Sequence, residues 1–380
     1  MSEDVTQTQA ERIAMFLPNL DGGGAERVFV ELANEFARAG ATVDLVLAAA
    51  RGPYLDEVSS DVRVVDLVAS RVLMAIRPLA QYVRDSKPAV ISSGLEHANI
   101  VSCLATRNAR KSTRCVVSIR SMPAGPLRET GSWSSRIILA AAKFAYRFAD
   151  LVIANSNAVA REASSVYGIS EEKIRVVYNP LDTARIGSLA CESPGLPWDD
   201  SDELPFVLAV GRLDRLKDFG TLIRAFQFVR SRHHCRLVIL GEGPERSKLE
   251  GLADDLGVGE DIYLVGFVGN PYPWMREAAV VVNSSITEGC PNVVLQALAC
   301  GTPVVCTDSH GGSAEVLDDG KWGQLVPVGD AEAMANSIES VLRGTPFPDG
   351  RIRAQDFSSD LIAGQYLRVL LPGFRPAPEH

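Results

Sequence analysis

The chain lacks several of the features that would assign it quickly. Its seven cysteines are odd in number and include no C-x-x-C pair, which argues against a disulfide framework or a thiolate zinc site and for reduced thiols in the cytosol. Five histidines, of which only His233 and His234 are neighbours, offer no metal-ligand cluster, so no metal site is expected. No apolar run approaches the length of a membrane-spanning helix. The first eleven residues are polar and acidic, with no apolar signal-peptide core. The expected setting is therefore cytoplasmic, either soluble or peripheral at the inner face of a membrane. A G-x-G-x-x-G spacing is missing, which argues against a nicotinamide dinucleotide enzyme. A formal net charge of −9 argues against nucleic-acid binding.

What is present is ample apolar material and an uneven spread of charge. At 380 residues and 46% hydrophobic content there is enough for two cores of ordinary size. Residues 71–147 hold thirteen basic residues against three acidic ones, a net of +10 inside an acidic chain. Two stretches there, 71–84 and 136–147, mix cationic side chains with Ile137, Ile138, Leu139, Phe144 and Phe148. Such stretches suit an anionic membrane surface, or a helix whose apolar side packs under a sheet while its charges face water.

Short β-branched runs alternate with helical patterns throughout, the signature of doubly wound parallel sheets. Strands are expected at 12–18, 42–48, 62–67, 89–92, 115–119 and 151–154, and again at 206–210, 236–240, 262–265, 280–283, 303–307 and 323–326. Asn19 to Gly24 form a turn into a helix over 25–38, with Val28, Phe29, Leu32 and Phe36 on one face and Gly40 at its end. Gly23 and Gly24 suit backbone approach to a phosphate, and as a bare triplet with Gly22 they equally suit a plain tight turn. Residues 187–205 have the Pro, Gly, Ser and acidic composition of a linker, which divides the chain into domains 1–186 and 206–350. A last helix is expected over 356–371 within the C-terminal piece 351–380, followed by a loose Pro-rich tail over 372–380.

Two motifs in the second half carry chemistry. Glu288-Gly289-Cys290-Pro291-Asn292-Val293-Val294-Leu295-Gln296 follows a buried strand and opens a helix that Gly301 and Pro303 close. The free N–H groups and positive dipole end of such a helix make an anion site, with Glu288 and Gln296 placed to flank it. Gly211-Arg212-Leu213-Asp214-Arg215-Leu216-Lys217 follows the first strand of the second domain, at the sheet edge where such folds bind ligands. Arg212 and Lys217 can converge there on a diphosphate, or stand as two surface cations.

In this order the motifs resemble the E-x7-E and G-R-x4-K patterns of glycosyltransferase family 4, the retaining group 1 glycosyltransferases of GT-B fold. The resemblance implies two Rossmann-like domains about a cleft, the nucleotide sugar on the second and the acceptor on the first. It implies that Glu288 meets the donor sugar, that Arg212, Lys217 and the helix start at Pro291, Asn292 and Val293 hold the diphosphate, and that Ser285, Gly289 and Cys290 complete the donor loop. The second glutamate of the pattern is Gln296 here, so the ribose contact falls to an uncharged amide. Val265 and Phe267 would frame the nucleobase through backbone groups. GGGAERV matches the first-domain loop of the family, with Gly23 and Gly24 at its turn. A histidine that many members place at the cleft is replaced by Gly94, which leaves His97 as a weaker acceptor-side candidate or simply a polar residue starting a helix. Ser118-Ile119-Arg120 resembles a segment in members that build surface polysaccharides; Arg120 suits an anionic substrate or a solvated loop equally.

The resemblance implies transfer of a hexose or N-acetylhexosamine from a UDP-sugar, without a metal cofactor, to a lipid-linked saccharide at an anionic membrane. Two rivals stand beside it. A sugar-nucleotide epimerase of related fold would turn over donor alone, and a non-catalytic binding protein would hold donor and transfer nothing.

Overall fold

The computed structural model describes residues 12–109, 112–123, 133–198 and 204–374. It contains two wholly parallel sheets. The first comprises β1 (Arg12–Leu17), β2 (Thr42–Leu47), β3 (Arg63–Asp66), β4 (Val90–Gly94), β5 (Arg114–Ile119), β6 (Leu151–Ala154) and β7 (Ile174–Val176), in the order β3-β2-β1-β4-β5-β6-β7. The second comprises β8 (Phe206–Val210), β9 (Arg236–Leu240), β10 (Ile262–Gly266), β11 (Val280–Asn283), β13 (Val304–Thr307) and β15 (Gln324–Val326), in the order β10-β9-β8-β11-β13-β15. Two short strands, β12 (Thr287–Glu288) and β14 (His310–Gly311), pair separately. Helices cover both faces of a parallel sheet, so its central strands are apolar on both sides; this is why VVVN and RLVIL read as continuous runs. In each sheet the order reverses beside the first strand, between β1 and β4 and between β8 and β11, which opens a crevice at the carboxyl ends there.

The expected strands are all present within a residue or two. Three were missed. β7 is a three-residue edge strand with a charged centre, and β12 and β14 are two residues each, too short for any periodicity to show.

The chain divides into one unit of residues 1–180 with 359–380 and a second of residues 181–358. In the first unit, helices Ile76–Ser86, Glu96–Ala109, Trp133–Ala145 and Asn157–Tyr167 bury their apolar sides on one face of the sheet. Helix Gly24–Arg38 and the last helix, Ser359–Leu370, cover the other face, where Phe36 and Tyr366 stand with ring centroids 6.4 Å apart. The division lies at residue 180, ahead of the expected 186. Asp182 caps helix Thr183–Leu189, which belongs to the second unit. Residues 187–198 have a linker's composition but not a linker's behaviour. Asn270 donates to the Leu189 carbonyl at 3.1 Å and to Glu192 at 2.8 Å, and the Trp198 ring lies 5.6 Å from that of Phe206. The centre of the expected linker, most of the Pro-rich tail and the first eleven residues lie outside the described residues. Among the described residues no helix is long and apolar enough to cross a membrane.

Gly94 has a local cause. A Cβ built there would lie 2.4 Å from Cε2 of the fully buried Phe29 ring, so the aromatic fills the space that a side chain would need. Gly94→Ala should therefore destabilise the first unit by about 1–3 kcal/mol through overpacking. A lowered urea midpoint, partly restored when Phe29→Leu is added, would bear this out; an unchanged midpoint would contradict it.

Candidate functional site

The carboxyl ends of β8 and β11 carry two loops that are bonded to each other. After β8 the chain turns at Gly211, whose N–H donates to the Leu240 carbonyl at 2.9 Å. Asp214 organises the rest of this loop. Its Oδ1 accepts the N–H groups of Leu216 at 3.0 Å and Lys217 at 3.2 Å, while its Oδ2 accepts Arg212 Nε at 2.7 Å. Asp218, in the left-handed region at φ 45°, caps helix Phe219–Arg230 by accepting the Thr221 N–H. The loop after β11 is fastened to this turn by Ser284 Oγ donating to the Lys217 carbonyl at 2.7 Å and the Ile286 N–H donating to the Leu216 carbonyl at 2.8 Å.

This fastening brings Lys217 Nζ to 2.5 Å from Glu288 Oε1. Both side chains are three-quarters or more buried, so the contact is far less screened than an exposed pair. Ser285 Oγ lies 2.8 Å from the same carboxylate oxygen and 2.6 Å from Asn283 Oδ1, and Thr307 Oγ1 donates to the Ser285 carbonyl at 2.5 Å. Beneath lies Cys306, its thiol fully buried and its pKa pushed up to about 12 by that burial, so it is no nucleophile at neutral pH.

Helix Asn292–Cys300 begins at once after this loop. Pro291 is its cap residue and supplies no side-chain cap, one position earlier than the expected place inside the first turn. Gln296 is half-buried, and its side chain makes no hydrogen bond among the described residues. Cys290 is buried. Gly289 lies between Glu288 and the helix start, so Glu288, Lys217, Ser285 and the helix N-terminus share one carboxyl-edge neighbourhood. Arg212 stands on the same turn, 71% exposed and leaning on Asp214. On the β9 and β10 side of this edge, Gly241 at φ 144° lets the chain pass Gly211, where a Cβ would come 1.9 Å from the Gly211 carbonyl. Its N–H donates to the Gly266 carbonyl at 2.7 Å, which occupies a backbone acceptor expected to face a base; Val265 and Phe267 on either side are exposed.

The remaining candidates lie in the first unit. Gly23 is the cap residue of helix Gly24–Arg38, so the glycine turn does open a helix. His97 is exposed in the first turn of helix Glu96–Ala109. Arg120 is not a solvated loop residue. It is half-buried, donates to Asn179 Oδ1 at 2.6 Å and Tyr366 OH at 3.1 Å, and lies over the Phe29 ring. Sequence reasoning missed Asp214, Ser284, Asn283 and Thr307. Asp214 was visible as an aspartate shortly after a turn glycine, a placement that favours local turns; the others act through contacts far apart in the chain.

The family description "Glycosyl transferases group 1" matches residues 205–344, and "Glycosyltransferase Family 4" matches residues 22–185. The chain belongs to this glycosyltransferase family. A Campylobacter jejuni relative is 34% identical over 231 residues, 60% of this glycosyltransferase and 61% of that protein. It is named N-acetylgalactosamine-N,N'-diacetylbacillosaminyl-diphospho-undecaprenol 4-alpha-N-acetylgalactosaminyltransferase. The match thus spans less than two thirds of that relative's length. The lipopolysaccharide core biosynthesis glycosyltransferase LpsE of Rhizobium meliloti is 29% identical over 91% of this chain and 92% of its own. Among solved structures, Anabaena Alr3699/HepE in complex with UDP-glucose superposes with a TM-score of 0.77 at 22% identity, covering 94% of this chain and 99% of that one. At that identity the likeness establishes the fold, two Rossmann-like domains of GT-B type.

β12 and β14 hold Glu288 in place, and their contact needs Gly311. At φ 149° a Cβ on residue 311 would come 1.5 Å from the Glu288 carbonyl oxygen. Gly311→Ala in this glycosyltransferase should cost about 1–3 kcal/mol through strain and overpacking. Gly269→Ala, where nothing lies within 4 Å, should cost far less. Calorimetric melts of the two variants check this; equal melting temperatures would contradict it.

Proposed function

We propose that the protein transfers a hexose or N-acetylhexosamine from a nucleotide sugar, UDP-linked, to a lipid-linked saccharide, with retention of anomeric configuration. One observation carries the reading: a cation and a carboxylate, Lys217 and Glu288, in contact at 2.5 Å beside a helix start whose cap residue supplies no side-chain cap. The relatives' names support the acceptor class, and the HepE complexes with UDP and UDP-glucose support the donor class.

In this reading the diphosphate lies at the start of helix Asn292–Cys300, with Lys217 as a point charge and Arg212 as the outer cation. As the bond from the anomeric carbon to the phosphate oxygen breaks, negative charge grows on the leaving nucleoside diphosphate. Lys217, Arg212 and the helix dipole stabilise it where it grows, the largest electrostatic contribution in such sites. Glu288, released from Lys217 by the incoming phosphate, accepts hydrogen bonds from sugar hydroxyls, and Ser285 steadies it through Oε1, the oxygen that Lys217 leaves. Gln296 faces the ribose as an uncharged amide. The acceptor hydroxyl forms its bond on the face that the diphosphate leaves, and its proton goes to the departing phosphate. No side chain is assigned as a nucleophile, and charge neutralisation by these groups needs no divalent metal. The acceptor falls to the first unit, whose carboxyl edge carries Gly23, Gly24, His97 and Arg120 on neighbouring strand ends.

The test is release of nucleoside diphosphate from a panel of UDP-, GDP- and ADP-sugars, with and without a membrane extract. Release should require one donor together with the extract, and EDTA should leave it unchanged. Lys217→Ala should lower it about a hundredfold, roughly 3 kcal/mol, in a protein that still melts normally. Turnover of donor without extract would favour an epimerase, and binding without turnover would favour a donor-holding partner protein. Full turnover by Lys217→Ala would remove the proposed mechanism.

A further inference from the structure

Helix Trp133–Ala145 is apolar on two sides. Ile138, Leu139, Ala142 and Ala145 pack down onto the first sheet. Facing away, Trp133, Ile137 and Phe144 are 79%, 66% and 51% exposed, at spacings of four and seven residues that put them on one stripe. A surface helix normally turns a polar side outward, so among the described residues this stripe lacks a covering. Beside it stand the exposed cations Arg136, Lys143 and Arg147, and residues 133–147 include no acidic side chain at all. Arg136 lies over the Trp133 ring at 5.5 Å, an arrangement that keeps the charge near the apolar surface.

The same side of the sheet carries a second exposed apolar group. Leu73 and Met74, in the short helical turn Val72–Ala75, are 56% and 62% exposed and are flanked by the exposed Arg71 and Arg77. That turn and helix Trp133–Ala145 both pack against helix Glu96–Ala109. Leu73, Met74, Trp133, Ile137 and Phe144 thus lie within the +10 segment of an otherwise acidic chain, while other exposed apolar side chains, such as Val68, Phe267 and Ile352, lie outside it.

We infer that this face of the first unit is a docking surface for an anionic lipid bilayer, with Trp133, Ile137 and Phe144 entering the headgroup boundary and the cations pairing with lipid phosphates. Cations interleaved with apolar side chains at helical spacing are the pattern of an interfacial helix. Residues 133–147 carry cations and no acidic side chain, so the partner has to be anionic along the whole helix, which an anionic lipid surface supplies. Snorkelling lets Arg136, Lys143 and Arg147 keep their charged ends at the headgroups while their stems extend the apolar surface. The inference goes beyond the donor site and stands apart from it, because a chain that bound no nucleotide sugar would still carry this face.

The experiment is co-sedimentation of the full chain with phosphatidylcholine vesicles, with and without about 30% phosphatidylglycerol. Binding should be at least about tenfold tighter to the anionic vesicles and should weaken with salt. The variant Arg136→Gln, Lys143→Gln, Arg147→Gln should lose at least about tenfold in affinity, and so should Trp133→Ser with Ile137→Ser. Both should keep the parent melting temperature, which checks folding. Tryptophan emission should shift to the blue on anionic vesicles, and Trp133→Phe should remove that shift. Equal affinity for neutral and anionic vesicles, no binding to either, or variants that bind like the parent would overturn the inference. So would self-association through this face, seen as a dimer in sedimentation velocity that Ile137→Ser abolishes. Calorimetric binding of UDP, measured on the same variants, should be unchanged and keeps this outcome separate from failure of the donor reading.

Discussion

Lys217 and Glu288 lie on different loops, seventy-one positions apart, and meet because β8 and β11 are neighbours in the sheet. Nearly everything local serves that meeting. Asp214 folds the first loop by taking two N–H groups and the Arg212 guanidinium, and Ser284 and Ile286 fasten the second loop to the first. Gly311 permits the two-residue strand pair that holds the backbone of Glu288. In the proposed mechanism the ion pair is also what the substrate exchanges. A largely buried carboxylate and ammonium that neutralise each other are stable at rest, and a diphosphate offers the lysine a stronger partner while it frees the carboxylate for hydroxyl groups. The proposed catalysis needs groups already positioned where charge will grow, and in that reading the cross-bonded loops supply the positioning.

The two units differ in charge as well as in sequence. The second is acidic overall, with Arg212, Arg215 and Lys217 on the loop after β8. In the first, basic side chains are spread across one helical face together with exposed apolar ones, while Arg120 is held inside by Asn179 and Tyr366. The proposed donor site and the proposed lipid-docking face together suit an enzyme whose two substrates differ as sharply in solubility as a nucleotide sugar and a lipid-linked saccharide.

How much of this was legible in the sequence depended on range. Central strands such as Val280–Asn283 and Phe206–Val210 could be placed because a parallel strand buried on both faces leaves a continuous apolar run. Glu288, Lys217 and Ser285 could be named because their spacing matches a family pattern. Asp214 and Thr307 could not, because an aspartate in a turn and a threonine at a strand end acquire a role only through partners fixed by the tertiary fold. The domain boundary was misplaced for a similar reason: residues 187–198 have a linker's composition, and only Asn270 and Trp198 reveal that they belong to the second unit. The sequence left Arg120 between an anionic substrate and a solvated loop because nothing in its own segment announces Tyr366, which comes from the far end of the chain.

The most direct measurement is a crystal structure of the protein grown with UDP. The diphosphate should lie at the start of helix Asn292–Cys300, with Lys217 Nζ turned from Glu288 to a phosphate oxygen and Glu288 open toward the sugar position. A diphosphate bound elsewhere, or one bound there while the Lys217–Glu288 pair stays closed, would contradict the proposed mechanism.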